Sequence, residues 1–340
     1  MKQKLIALAI ASALSAPAFA DNANVTVYGK AFLTFDQRDT GVAGSTSAMR
    51  VNTNASRFGV KGEEDLGGGL TGLYQFEVEM DADGQGMDDG NKVAKVGGFA
   101  KTRNSGAGLK GDFGQVMLGV WDSPFKVAHN AIELFDNTSD WSAIKTIGLS
   151  AGKDYNTRQK NMVQYWSPKF GGLQAAVMYS PDEAKTTTQN KSILSMSATY
   201  SQDALYAAAA YESRNDASVT GTTDSAFRLV GKFDLADAWV GAMFENIKTN
   251  QTATTSVTGK NVELVGGVKM GASSLAASYA KAGSTAAAGA AANDVNQLSL
   301  KYGYKFSKRT EVFAAYASRK ANGATSVTAT TLGGGIIHSF

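Results

Sequence analysis

Within the segment Leu70–Asp81, apolar and polar residues alternate from Tyr74 to Met80. One parity carries Tyr74, Phe76, Val78 and Met80, and the other carries Gln75, Glu77 and Glu79. Because successive side chains of a β-strand point to opposite faces, this segment is predicted to be a strand with one apolar and one polar face. The end of the chain repeats the pattern, since one parity runs back from Phe340 through Ile336 to Leu332. Such a terminal strand suits a sheet that faces lipid on one side.

Similar segments, separated by turn residues, recur along the whole chain and predict sixteen strands. Predicted strands 1 to 7 and 16 are Asn24–Gln37, Met49–Glu64, Leu70–Asp81, Gly98–Lys110, Gly114–Trp121, Thr157–Ser167, Leu173–Pro181 and Thr328–Phe340. Short turns at 201–203, 234–237, 271–274 and 307–309 join the other strands in pairs, and longer polar connections separate these pairs. A tilted strand that crosses a bilayer needs about 9–11 residues. The spacing therefore leaves room for short turns on one side of a membrane and long loops on the other.

The first twenty residues have the features of an export signal. Lys2 and Lys4 precede the apolar run Leu5–Leu14, and Ala18-Phe19-Ala20 forms a small-residue cleavage site before Asp21. We expect a cleaved signal peptide at 1–20 and a single domain at 21–340. No later run of about 18 apolar residues predicts a membrane-spanning helix. A membrane protein without such helices must be a closed barrel, so the predicted fold is an all-β, sixteen-stranded antiparallel transmembrane barrel. A soluble secreted β-sandwich or β-helix is the alternative that periodicity alone leaves open.

Composition argues against several classes of function. The formal net charge is +3, and two of these charges come from Lys2 and Lys4, so the basic excess of a nucleic-acid-binding protein is missing. The chain has no cysteine, which excludes thiol chemistry and Cys-ligated metals. Its two histidines, His129 and His338, are too few for a His-rich metal centre, and no Gly-x-Ser-x-Gly motif accompanies His129. We therefore expect no enzymatic activity, no metal and no cofactor.

Charged residues on three predicted strands indicate a basic wall inside the barrel. In a large barrel the polar parity faces the lumen. This assignment turns the following residues inward: Arg57 and Lys61 on strand 2, Lys101 and Arg103 on strand 4, and Arg158 and Lys160 on strand 6. A charge at the lipid-facing midplane costs about 2–4 kcal/mol, so the charges themselves constrain the parity. The alternative is that some of these residues lie near strand ends, hydrated by bulk water.

The longest connection, Asp122–Asn156, is too apolar for a solvated tail because it contains Phe125, Phe135 and Trp141. Long connections in compact proteins are usually functional or disordered, and because this one is so apolar we expect the third loop to fold into the lumen. Its acidic residues are the predicted acidic side of a pore constriction: Asp122, Glu133, Asp136 and Asp140. An acidic loop opposite a basic wall would create a field across the constriction and select solutes by charge and size. The alternative for these acids is a solvated loop surface.

Short motifs, in order along the mature chain, resemble the general porins of beta-proteobacteria. They are Val25–Gly29, Ser56–Gly67, Phe113–Gly119, Tyr165–Gly172, Ser307–Thr310 and His338–Phe340. The resemblance implies a homotrimer of sixteen-stranded barrels in the outer membrane of a Gram-negative bacterium, among its lipid and lipopolysaccharide. It also implies that each barrel holds a water-filled pore, narrowed by the third loop, for passive diffusion of small hydrophilic solutes and ions, often with anion preference. A substrate-specific channel on the same scaffold is the alternative.

The resemblance extends to individual residues of the predicted constriction. Arg57, Arg103 and Arg158 match an arginine cluster that faces the third loop in the family. Glu77 matches an acidic residue near that cluster and joins the predicted acidic side. The chain departs from the family at Val120, where many members have arginine.

Overall fold

The computed structural model describes residues 24–84, 99–148, 150–285, 294–322 and 326–340. The predicted signal peptide lies outside these residues. Within them the chain is almost entirely β-structure, with two short helices at Pro124–Val127 and Ala143–Ile147. The strands are β1 (Asn24–Asp39), β2 (Ala48–Thr53), β3 (Arg57–Gly67), β4 (Leu70–Met80), β5 (Phe99–Thr102), β6 (Ser105–Gly111), β7 (Gly114–Asp122), β8 (Arg158–Trp166), β9 (Leu173–Ser180), β10 (Ile193–Gln202), β11 (Leu205–Asn215), β12 (Thr223–Asp234), β13 (Ala238–Asn250), β14 (Ser256–Met270), β15 (Ser273–Thr285), β16 (Asp294–Lys305), β17 (Thr310–Asn322) and β18 (Val327–Ser339). None of the helices in the described part of the chain is long and apolar enough to cross a membrane.

These strands form a closed antiparallel barrel with sixteen strand positions. Two of the positions are each occupied by two consecutive strands, β2 with β3 and β5 with β6. β1 pairs with β3 along its first half and with β2 along its second half. β4 pairs in the same way with β6 and β5. Between β2 and β3, Ala55 has a φ of 54°, a left-handed conformation that interrupts a strand. The predicted sixteen-stranded antiparallel barrel is confirmed, although strands 2 and 4 were predicted as unbroken.

The barrel closes where the two ends of the described chain meet. β1 pairs with β18 from Lys30 opposite Ser339 to Asp39 opposite Thr330. Gly29 and Phe340 extend this ladder through two backbone hydrogen bonds of 3.0 and 3.1 Å. A Cβ atom at Gly29 would lie 2.3 Å from the Phe340 ring, so the absence of a side chain at Gly29 lets the terminal aromatic ring pack against the seam.

The two faces of the barrel wall differ sharply. Leu332 and Ile336 of β18 and the following residue, Phe340, are 59, 42 and 50% exposed on the outer face. On β4, Phe76 is 61% exposed whereas Glu77 and Glu79 are buried. Buried residues of the opposite parity point inward, where the long connection between β7 and β8 covers them. The protein therefore buries its apolar cluster between this connection and the inner wall.

Candidate functional site

The connection between β7 and β8, which we call the inner segment (123–157), begins as a capped helical turn. The Ser123 hydroxyl accepts a hydrogen bond of 3.2 Å from the Lys126 backbone N–H, and Pro124 occupies the first turn. A serine cap followed by proline is a favourable helix start, because the cap satisfies a free backbone donor and proline lacks one. This turn places the Phe125 side chain, which is fully buried, against the wall.

Small inward residues of the wall make room for bulky side chains of the inner segment. Phe125, Ile132, Ile144, Ile147 and Tyr155 pack in one cluster with wall residues such as Ala208, Ala210, Ala226, Ala280 and Ala282. These alanines share the inward parity of β11, β12 and β15. Burying such side chains contributes roughly 1.5–3 kcal/mol each, which explains why a segment with so many apolar residues lies against the wall.

A second, aromatic cluster fixes the middle of the inner segment. Trp141 packs edge-on against Phe313 of β17 at 5.8 Å and beside Phe135 at 5.9 Å. The Trp141 indole N–H donates to the Thr331 carbonyl at 3.0 Å, and the Ser299 hydroxyl donates to the Trp141 carbonyl at 2.7 Å. Strands β16, β17 and β18 therefore hold the same tryptophan.

The acidic turn of the inner segment forms ion pairs with arginines and a lysine of β1, β2 and β3. Asp136 accepts from Arg57 at 2.8 Å and from Lys30. Asp140 lies 2.9 Å from Arg50 and 3.6 Å from Arg38. Burial alone would raise the pKa of Asp136, but Lys30 and Arg57 outweigh burial and hold that pKa below its ordinary value. These carboxylates stay ionised and contact the basic wall directly.

Arg103 forms a separate ion-pair group on the wall itself. It is buried, and it donates to Glu77 at 2.6 Å and to Glu79 at 2.8 Å. Glu77 was listed with the acidic side of the constriction and was expected near the arginine cluster, and it contacts Arg103 directly. The register of β3 and β4 sets Glu79 opposite Arg57 and Glu77 opposite Gly59, so both carboxylates belong to the basic wall.

Arg158 pairs with Asp122 at the point where the inner segment leaves β7. The Arg158 Nη2 atom lies 3.1 Å from Asp122, and Arg158 Nε donates to the Asn104 side chain at 2.7 Å. Lys126 also contacts Asp122 at 2.7 Å. Asp122 therefore neutralises part of the basic wall at its edge.

Glu133 does not face the basic wall. It is buried, accepts from the Phe135 N–H at 2.8 Å and from Ser142 at 3.0 Å, and lies 3.7 Å from His129. Burial raises the pKa of its carboxyl group. Glu133 was expected on the acidic side of the constriction, and in the structure its side chain closes a turn inside the inner segment.

The three predicted lysines differ in their surroundings. Lys61 is exposed, with its ammonium group 5.4 Å from the centre of the Tyr28 ring. Lys101 is partly exposed and lies 3.7 Å from Glu79. Lys160 is exposed and has no ion pair with a residue of the described ranges. The next residue, Asn161, has a left-handed backbone conformation, and the pairing of β7 with β8 shifts in register between Gly119 and Trp121. Simple alternation therefore does not determine which face of the wall Lys160 lies on.

Sequence reasoning missed six cationic wall residues that, in the described part of the chain, contact the inner segment: Lys30, Arg38, Arg50, Arg214, Arg228 and Lys301. Lys30 and Arg38 share one parity of β1 with Asp36, so the alternation applied to strands 2, 4 and 6 could have found them. No local sequence pattern identifies Arg50, which lies on β2, before the interruption at Ala55. Among the described residues, no group of three His, Asp or Glu side chains is arranged to hold a metal ion.

Comparison with known proteins identifies the family. Residues 7–324 match the family described as Gram-negative porin. The chain belongs to this family. Porins of this family are outer-membrane proteins, and the closed barrel with an apolar outer face agrees with that location.

Individual relatives agree with this assignment. Outer membrane porin protein 32 of Delftia acidovorans is 32% identical over 191 residues, which cover 55% of this chain and 51% of the relative. Major outer membrane protein P.IB of Neisseria gonorrhoeae is 30% identical over 189 residues, 54% of this chain and 49% of the relative. The matched part thus spans about half the length of these curated relatives.

Solved structures support the same fold. An anion-selective porin from Comamonas acidovorans superposes with a TM-score of 0.80 at 23% identity, covering 94% of this porin and all of that chain. OmpT of Vibrio cholerae, folded in vitro in a trimer form, gives a TM-score of 0.69 at 17% identity. At these identities the likeness establishes the barrel fold alone.

Proposed function

We propose that this porin is a general diffusion channel that passes small hydrophilic solutes and ions passively, with a preference for anions. The observation that carries the proposal is the summed charge of four separate groups of ion pairs among the described residues, which together we call the constriction network. It contains nine cations, Lys30, Arg38, Arg50, Arg57, Lys101, Arg103, Lys126, Lys145 and Arg158, and six carboxylates, Asp36, Glu77, Glu79, Asp122, Asp136 and Asp140. The network therefore has three positive charges in excess.

This excess supports anion preference although the whole chain is close to neutral. A field from fixed charges acts on ions over about a Debye length, roughly 8 Å at physiological salt. The inner segment narrows the lumen beside the network, so a passing ion comes within that range. The predicted basic wall of Arg57, Arg103 and Arg158, assisted by Lys61, Lys101 and Lys160, takes part in the filter together with Lys30, Arg38 and Arg50. Asp122, Asp136 and Asp140 moderate its charge.

The assembly and maturation of the porin are part of the proposal. Residues 1–20 are removed on export, and 21–340 form a single barrel domain that assembles as a homotrimer among outer-membrane lipid and lipopolysaccharide. The apolar outer face supports lipid contact. The channel has no catalytic step and needs no cofactor.

Two measurements test the function. In a planar bilayer with a tenfold salt gradient, the purified porin should give discrete conductance steps and a reversal potential of the sign set by anions. In liposomes, the initial rate of uptake of small sugars should rise linearly with the sugar concentration. Absence of conductance steps would refute the channel. Saturable uptake of one solute would instead favour a substrate-specific channel on the same scaffold.

A further inference from the structure

A fully buried arginine on β12 contacts both ends of the inner segment. Arg228 donates through Nη1 to the Phe125 carbonyl at 3.0 Å and through Nη2 to the Asn156 side chain at 2.8 Å. Phe125 lies just after β7 and Asn156 just before β8. One side chain of the wall therefore joins the point where the inner segment begins to the point where it ends.

The acidic partner of Arg228 is equally buried. Glu245 on β13 accepts from Arg228 Nε at 2.9 Å and also from Nη2, and its other oxygen accepts from Asn261 at 2.7 Å. Arg228 and Glu245 are both 0% exposed. A buried ion pair is a weak source of stability, because removing both charges from water offsets much of their attraction. What the pair does supply is geometry, since a planar guanidinium holds its donors in fixed directions.

Aromatic contacts add to this arrangement. The Arg228 guanidinium lies over the Phe125 ring at 4.1 Å, and the Arg214 guanidinium of β11 lies over the Tyr155 ring at the same distance. The two rings are 5.8 Å apart. Arg214 also donates to Thr157 at 2.9 Å. Two arginines from neighbouring strands thus stack on aromatic residues from opposite ends of the inner segment.

We propose that Arg228 is a positioning residue that clasps the base of the inner segment and so sets the width and steadiness of the pore. The clasp consists of Arg228, Glu245, Arg214, Phe125, Tyr155 and Asn156. This inference rests on the proposed function, in which the inner segment narrows the channel. Because Arg228 is buried and neutralised by Glu245, it acts on position and not on the charge seen by ions. It should therefore control current fluctuations and leave ion selectivity unchanged, unlike Arg57.

Three variants separate geometry from charge. Arg228→Lys keeps the charge but loses the planar set of donors. The double variant Arg228→Met with Glu245→Met removes both charges together and leaves no buried charge alone. Asn156→Ala removes one hydrogen bond at the far end and is the mildest change. The matched control is Arg319→Lys on β17, because Arg319 shares the inward parity but is exposed and forms no ion pair among the described residues.

Single-channel recording is the first readout. We expect the open-channel current noise of Arg228→Lys and of the double variant to rise several-fold, with a smaller rise for Asn156→Ala and none for Arg319→Lys. The reversal potential should stay at the wild-type value in all four. Electrophoretic migration of unheated samples as compact barrels shows which variants have folded. If Arg228 variants do not fold, Asn156→Ala still tests the clasp.

A probe of the inner segment is the second readout and does not require a functioning channel. The native chain has no cysteine, so Lys145→Cys, at an exposed site of the segment, takes a single spin label. The label should be more mobile in the Arg228 variants than in the parent. Unchanged noise and unchanged label mobility in folded variants would overturn the clasp. A wild-type protein that forms no channel would refute the proposed function, while the label would still decide whether Arg228 positions the segment.

Discussion

Replacing three arginines of the constriction network should abolish the anion preference. The change is Arg57→Gln, Arg103→Gln and Arg158→Gln together. The network contains nine cations and six carboxylates, so the loss of three positive charges brings its net charge from +3 to zero. The remaining carboxylates, among them Glu77 and Asp136, are then balanced by the lysines and by Arg38 and Arg50.

The size of the effect follows from Coulomb's law. A unit charge about 10 Å from an ion in water changes the energy of that ion by about 0.4 kcal/mol. Three charges change it by about 1.2 kcal/mol, with opposite sign for anions and cations. The ratio of anion to cation passage therefore changes by about 2.4 kcal/mol, or between one and two orders of magnitude before screening. At 0.01 M salt the Debye length of about 30 Å leaves most of this effect, whereas at 1 M a length of about 3 Å removes it.

The assay is the reversal potential across a bilayer in salt gradients of low and high mean concentration. A perfectly selective pore reaches about 59 mV for a tenfold gradient of a monovalent salt. The wild type should have the anionic sign at low salt, and the triple variant should lie near zero or on the cationic side. The control is Lys308→Gln, Arg309→Gln and Arg319→Gln, which removes the same number of charges outside the network. A triple variant with the wild-type potential, or a control with an equal shift, would refute the assignment of the filter to this network.

Three further predictions concern the inner segment. Trypsin added to the folded porin should cut first at Lys185 or Lys191, in the exposed connection between β9 and β10. Cleavage at Lys145 or Lys153 of the inner segment should be much slower. Equal cleavage rates would place the inner segment outside the lumen. Trp141→Ala should weaken docking of the segment by about 3–5 kcal/mol and raise the mobility of a label at Lys145→Cys, whereas Phe306→Ala, at an exposed turn, should leave that label unchanged. Channel noise should be constant from pH 7 to pH 5 and should rise only below the ordinary aspartate range of about pH 4. The pKa of Asp136 is held below its ordinary value, so its ion pairs persist until the pH falls through that lowered pKa. Asp136→Asn should already be noisy at pH 7, and a parent channel that became noisy near pH 6 would contradict this reasoning.

Local sequence patterns determined the barrel because strand structure has a period of two residues. In Leu70–Asp81 alternation alone separates Phe76, which is exposed on the outer face, from Glu77, which is buried inside. Turn residues set the strand ends. The predicted bounds of the eight strands given above lie within three residues of the observed ones, when β2 with β3 and β5 with β6 are each counted as one strand. The same alternation identified Arg57 and Arg103 as inward residues, since a charge on the lipid-facing side is costly.

Only the tertiary structure decided which inward residues meet. Pairing depends on strand register and on the path of the inner segment, and neither leaves a local periodic signal. Alternation turned Glu77 and Arg103 inward, but the structure was needed to show that they form an ion pair on one wall. Arg228 stands at an inward position of β12, but its contact with the Phe125 carbonyl joins residues 103 positions apart. The sequence by itself therefore determined the barrel and the parity of its charges, whereas long-range packing of the inner segment decided which charges are neutralised and which residues hold the pore.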